Sequence, residues 1–373
     1  MSAKFEFPAV TPLVASLPST VPFTGPESIE RKTGRLFRAR LGANENGFGP
    51  APSVIKALQQ SNSEVWKYGD PENYDLINAL ANLYNLKPEQ LTVGPGVDSL
   101  LGLIVRQYIE PGDVVINSLG GYPTFNYHVA GFGGKLVNVP YSNDKSDLQA
   151  LSDAAHKYKA KIVYLANPDN PLGTWHNKNE IEAFITKLPK TTLLVLDEAY
   201  GELAPKDELP EMSKIWPNVL RMRTFSKVYG LAGLRCGYAI GPAELVCMFD
   251  KVRDHFSVNK MAQIAAFHAL ADRKYLDEVI RKIDNAKKEI VKIAESHGLK
   301  TLPSATNFVA IDCGRDGNFA KDVLDGLIKR AIFVRKPSVP VLDRLIRVSV
   351  GPQKEIDLFA EAFASALDAA NKG

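Results

Sequence analysis

The chain is predicted to be an α/β protein: a mostly parallel, seven-stranded sheet with helices on both faces, joined to a smaller α+β domain. Three observations predict this. Strand-like and helix-like patterns alternate over roughly 200 residues from about residue 50, as repeated β–α crossovers require. The strand-like runs are short, apolar and mostly β-branched, as strands buried on both faces must be. After Gly241 the alternation gives way to long helical segments and then a few further strands.

Taken in chain order, residues 1–40 are proline-rich and then basic (ERKTGRLFRAR), which predicts an extended arm belonging with the small domain. Candidate strands follow at 91–93, 114–116, 136–139, 162–165, 193–196, 219–224 and 238–240. Helical stretches lie between them, among them Asp98–Ile109 and Lys178–Leu188. These elements make a large domain over 41–260. Helix-like segments then run from Ala243 to His297, followed by NFVAIDC, a helix around 318–330, IFVR, LIRVSV and a final amphipathic helix. The small domain spans 261–373, and a length of 373 residues fits two or three domains of about 150 residues.

Composition narrows the function classes. The chain is 45% hydrophobic and 23% charged, as in an ordered globular protein. Lys and Arg total 45 against 42 Asp and Glu, a net charge of +3 that argues against a general nucleic-acid or membrane-surface binder. Cys236, Cys247 and Cys313 form no CxxC pair, and an odd count makes a poor disulfide framework, so a reducing cytoplasm is expected. Pro8, Pro12 and Pro18 break any signal-peptide helix, and no apolar run approaches the ~20 residues of a membrane span. HExxH, GxSxG and metal-ligand spacings are absent, and the six histidines are scattered.

Several segments carry candidate chemistry. In RTFSKVYGLAGLRCGYAIG, Lys227 and Arg235 stand among glycines at 230, 233, 237 and 241, which suits a loop around a bound group better than a long helix. A lysine there can form a Schiff base with an aldehyde, or be merely solvated. LLVLDEAY puts Asp197 at the carboxyl end of an apolar strand, where α/β sheets place ligands and where a buried acid needs a partner. That partner is a pyridinium nitrogen or the cap of a following helix. Tyr200, three residues on, offers a phenol to a ring oxygen. NPDNPLGT (167–174) is an exposed proline turn in which the Asn170 amide is a second donor to that oxygen, or simply a turn residue. GPGVDSLLGLI (94–104) is a strand–glycine–helix start whose Val97 and Asp98 N–H groups suit an anion, although many helix starts look alike without binding phosphate. Tyr122, after a diglycine, stacks on a ring or fills the core.

These segments in this order resemble the fold-type I pyridoxal-phosphate aminotransferases, and within them the histidinol-phosphate aminotransferase family, from LGANENGFGP (41–50) to IRVSVGP (346–352). DEAY 30 residues before the lysine of TFSK…GLAGLR is the specific part. The resemblance implies that Lys227 is the Schiff-base lysine and proton shuttle and that Asp197 faces the pyridine nitrogen. It implies that Tyr200 and Asn170 bind the ring hydroxyl and that Tyr122 stacks. By the same resemblance, Val97, Asp98, Thr224, Ser226 and Arg235 are expected to form the phosphate cup. Tyr68, in WKYGDPEN, reaches the cofactor phosphate of the neighbouring subunit, so a homodimer with shared active sites is implied. The resemblance also implies that Asn44 lies on the substrate side and that Arg347 and Arg335 grip anionic groups, as a bidentate guanidinium can, the alternative for either arginine being a surface salt bridge. The chain departs from the family pattern at Gly47, Gly69, Asp169 and Leu172. Phe23 stands where a tyrosine that touches the substrate phosphate is frequent.

The expected activity is amino transfer from an amino acid or amino-alcohol phosphate, of the histidinol-phosphate or aromatic type, to a 2-oxo acid such as 2-oxoglutarate. It uses pyridoxal 5'-phosphate, a ping-pong cycle and no metal. The alternatives are a decarboxylase of the threonine-phosphate type on the same scaffold, and a cofactor-binding module without turnover.

Overall fold

The computed structural model describes residues 8–19 and 23–372. Seven strands form the main sheet: β1 (Leu91–Gly94), β2 (Val114–Ser118), β3 (Lys135–Val139), β4 (Ile162–Ala166), β5 (Leu193–Asp197), β6 (Val219–Thr224) and β7 (Gly237–Ile240). Their spatial order is β1-β7-β6-β5-β4-β2-β3. All neighbours pair in parallel except β7, which runs antiparallel to both β1 and β6. Each expected strand is present, shifted by at most two residues at an end.

Alternation along the strands explains the two helical layers. Ile162 and Tyr164 of β4 and Val195 of β5 pack with Leu101 and Ile104 of the Val97–Tyr108 helix. Val163, Leu165, Leu194 and Leu196 point the other way, against Leu151, Ile181 and Phe184. Successive side chains face opposite sides of a sheet, so an unbroken apolar run is what two covered faces require. Only β3, at the edge, keeps exposed positions.

Beyond β7 the chain is mainly helical, with helices at Lys260–Ala271 and Arg273–Ser296. A small antiparallel sheet follows, in which β8 (Phe308–Asp312) lies between Lys300–Thr301 and β9 (Leu345–Ser349). Helices Gly317–Lys329 and Gln353–Lys372 pack beside it. One apolar cluster joins Leu80, Val93 and Phe225 to Ile283, Phe308 and Phe359, so the small sheet and its helices share a core with the edge of the main sheet. Each such side chain contributes roughly 1.5–3 kcal/mol of burial.

Three expectations need correction. The arm is not simply extended, because it carries helices at Pro12–Ser16 and Pro26–Thr33. Proline at the first helical position lacks only an N–H that has no partner there anyway, so these prolines start helices. Residues 1–7 and 20–22 of the expected arm lie outside the described residues. The arm ends in Ala39–Arg40, which pairs in parallel with Ile332–Phe333, and Arg40 bonds Glu27 at 2.8 Å and Glu30 at 2.7 Å. Of IFVR, only Ile332–Phe333 forms regular strand, and Arg335 joins β9 through a single bridge to Arg347.

The NPDNPLGT turn, expected to be exposed, is buried over most of its length. Leu172 packs with Ala310, Leu342 and Leu345 of the small sheet region. The Ala305 N–H donates to Gly173 O at 2.8 Å, and the Tyr141 hydroxyl donates to Asp169 at 2.9 Å. Local sequence marks a turn but does not say what will be laid over it.

Candidate active site

The carboxyl ends of the parallel strands converge on a cavity of about 460 Å³. Asp197 is the last residue of β5 and sits at its floor, 6% exposed. Its Oδ2 accepts from the Tyr164 hydroxyl at 2.7 Å and its Oδ1 from the Ala199 N–H at 3.0 Å. Burial, the dominant influence, pushes Asp197 up to about 6 against the pull of these bonds. Burial likewise raises the Tyr164 phenol, which stays a donor. Ionised in this buried place, the carboxylate carries a charge that a cationic ring nitrogen would offset.

Lys227 follows β6 and reaches back across the cavity. Its Nζ donates to Asn44 O at 3.3 Å and stands 5.5 Å from the centre of the Tyr200 ring. Asn44 adopts a left-handed backbone (φ 54°) and gives its amide to the Tyr200 hydroxyl at 2.8 Å. The small sheet region fixes that conformation: Ser349 Oγ accepts from the Asn44 N–H and donates to its Oδ1, each at 3.0 Å, while Asn307 Nδ2 donates to Asn44 O at 3.0 Å.

One wall is built as an anion cradle. The Val97–Tyr108 helix begins at Gly96 (φ 85°) with no side-chain cap, leaving its first N–H groups to a ligand. Thr224, Ser226 and Arg235 line the same cavity. Arg235 bonds Ser226 Oγ at 3.4 Å and lies 3.7 Å from Asp98, which also accepts from the Tyr122 hydroxyl at 2.7 Å. Two glycines keep the cradle open: a Cβ at Gly96 would lie 2.5 Å from the Arg235 guanidinium, and one at Gly237 3.0 Å from Val97 N.

A second cavity of about 390 Å³ shares Tyr122, Asn170 and Lys227 with the first and adds Asn44, Arg335 and Arg347. The two arginines are backbone partners across the bridge. Arg347 Nη1 donates to Asn170 Oδ1, its guanidinium lies 5.1 Å over the Phe308 ring, and its buried Nε has no partner. Burial lowers Arg347 to about 10, the penalty of a cation waiting without an anion. Arg335 donates to Thr24 O at 3.0 Å and lies 4.3 Å over Phe23.

The residues singled out from sequence therefore meet around two adjoining cavities, with one exception. Tyr68 lines neither; it is 77% exposed and stacks on Phe256 at 4.5 Å. Sequence reasoning missed Tyr164, which sits in an apolar strand and reads as core, and its only signal was a phenol among aliphatics. It also missed the side-chain role of Asp98 and the fixing of Asn44 by Asn307 and Ser349.

The family model for aminotransferase class I and II matches residues 39–363. A crystal structure of histidinol-phosphate aminotransferase from Sinorhizobium meliloti in complex with pyridoxal-5'-phosphate is 51% identical, with a TM-score of 0.94, covering 97% of this chain and 98% of that one. Histidinol-phosphate aminotransferase of Moorella thermoacetica is 32% identical over 95% of this chain and 92% of its own length. Histidinol-phosphate aminotransferase 2 of Carboxydothermus hydrogenoformans is 35% identical over 89% and 91% respectively. With matches that run nearly end to end, and a site at the sheet position the fold reserves for ligands, the chain belongs to the class I and II aminotransferase family and has its fold-type I architecture.

Proposed function

We propose that this aminotransferase uses pyridoxal 5'-phosphate to carry an amino group from an amino-alcohol phosphate of the histidinol-phosphate type, or an aromatic amino acid, to a 2-oxo acid such as 2-oxoglutarate. The observation that carries the reading is the meeting of Lys227, Asp197 and the uncapped helix start at Gly96 around one cavity. The residues suit the cofactor: an acid for the ring nitrogen, an amine for the aldehyde, and a cradle of N–H groups, hydroxyls and a guanidinium for the phosphate. When bound, pyridoxal phosphate supplies a carbonyl that condenses with amines and a ring that accepts electrons from the α-carbon.

The chain's own residues do the rest. Asp197 holds a proton at the ring nitrogen, which keeps the ring electron-accepting. Tyr200 and Asn170 orient the ring hydroxyl, and Tyr122 covers the ring face. Lys227 Nζ would hold the cofactor's aldehyde, and its amine is placed to move a proton at the substrate α-carbon. Val97, Asp98, Thr224, Ser226 and Arg235 hold the phosphate. Arg347, with its unpartnered Nε, takes a substrate anion, and Arg335 a second. The relatives named above are aminotransferases, so the decarboxylase reading is not favoured.

The same reading includes a cytoplasmic homodimer acting on small molecules. Tyr68 and Phe256 form an exposed aromatic pair beside exposed Trp66, a surface suited to a second copy. The cysteines described are all free, and among the described residues no helix is long and apolar enough to cross a membrane.

Lys227→Ala tests the assignment. Transfer to 2-oxoglutarate should fall at least about 1,000-fold. Borohydride reduction should leave the cofactor's added mass on the wild-type chain and none on the variant. Surviving transfer, or cofactor trapped on another lysine, would overturn it.

A further inference from the structure

The charged residues that line the second cavity are all hydrogen-bond donors: Lys227, Arg335, Lys336 and Arg347 line it and no carboxylate does, among the described residues. Asn126, in the first turn of the Pro123–Gly131 helix, lines the same cavity. The orientation of that amide follows from its neighbours. Asn117, buried near the end of β2, has its Oδ1 held by the Ser118 N–H at 2.7 Å. An N–H can be received only by the oxygen, so Asn117 must turn its Nδ2 outward. That Nδ2 donates to Asn126 Oδ1 at 2.7 Å, which fixes Asn126 in turn. Gly121 makes the arrangement possible, since a Cβ there would lie 2.8 Å from Asn117 Oδ1. The one polar atom of Asn126 left over is its Nδ2, which has no partner among the described residues and is not among the buried unpartnered atoms.

We infer that Asn126 is a specificity-determining residue whose amide N–H, positioned by Asn117, is offered to a hydrogen-bond acceptor on the side chain of the amino donor. The inference rests on the aminotransferase reading above and adds to it the chemistry of the donor's far end. The site accepts a ring nitrogen or an oxygen there and selects against a plain hydrocarbon ring. A site built to bond a substrate atom discriminates more sharply than an apolar pocket, because the analogue leaves its polar group unpaired.

The test compares holoenzyme kcat/KM for L-histidinol phosphate and L-phenylalaninol phosphate, which differ in the ring alone, with 2-oxoglutarate as acceptor. The free amino acids histidine and phenylalanine run alongside as a second pair. Asn126→Ala should lower the imidazole-to-phenyl ratio about tenfold while changing the phenyl member less than about twofold. Asn126→Ser, a smaller change, guards against loss of folding and should lower the ratio in the same direction. Asn117→Ala leaves Asn126 in place but free to turn, and should lower the ratio about threefold. Equal loss on both members of a pair, or no change in the ratio, would overturn the role of Asn126 while leaving the donor class standing. Failure of the wild type with all four donors would refute the donor class itself, and the inference with it.

Discussion

At Asp197 a carboxyl group stands at the end of an apolar strand with two hydrogen bonds and, among the described residues, no cation in ion-pair contact. Its folded value of about 6 lies above its ordinary 3.8. Below about pH 4 both folded and unfolded chains hold the proton, and the group is neutral to stability. Between about 4 and 6 only the folded chain keeps it, and above that the folded chain carries a buried charge, which costs the apoprotein about 3 kcal/mol relative to acid. We predict that Asp197→Asn raises the melting temperature of the apoprotein at pH 7.5, that the gain fades as pH falls through 6 toward 4, and that activity is lost at every pH. Melting curves of both apoproteins between pH 4 and 8 check this; a gain independent of pH would contradict it. Asp197 was legible because an acid closes an apolar run of four residues. Tyr164 was not, because the sheet register that brings its strand beside Asp197 is a long-range fact.

The elements that matter most are the strand-to-helix turns. Gly96 has a positive φ of 85° and almost touches Arg235 in projection, so Gly96→Ala imposes both backbone strain and a displaced guanidinium. We predict at least about tenfold weaker binding of pyridoxal phosphate, read by equilibrium dialysis, with the donor preference unchanged. The seven main strands were legible because apolar β-branched runs of this length have few other uses. The arm prolines misled because a proline that ends one element can begin a helix, and the tripeptide around it is the same in both cases. The NPDNPLGT turn misled because its cover comes from residues more than a hundred positions away.

On the scale of the whole molecule, Tyr68 is the one expected site residue that lines neither cavity: it is exposed and, among the described residues, stacks on Phe256. A homodimer in which it completes the partner's phosphate site makes a complementation prediction. Lys227→Ala and Tyr68→Ala are each expected to be weak or inactive alone. Mixed and allowed to exchange, they should form hybrids with one intact site, because the Lys227→Ala chain still supplies Tyr68. Activity per hybrid dimer should approach half that of wild type, whereas an additive mixture would show that Tyr68 does not act across an interface.

The sequence by itself determined the succession of main-sheet strands, the family, and most of the residues that line the two adjoining cavities. Those are local facts, carried by apolar runs that end in a polar residue and by glycines that leave room for a ligand. Only the tertiary structure decided which partner each polar group has: Tyr164 for Asp197, Ser349 and Asn307 for Asn44, Asn117 for Asn126, and the backbone bridge that sets Arg335 beside Arg347. The reason is physical. A hydrogen bond depends on register and approach to within about 3 Å, and residues separated by tens to hundreds of positions reach that distance only when the core that joins them has packed.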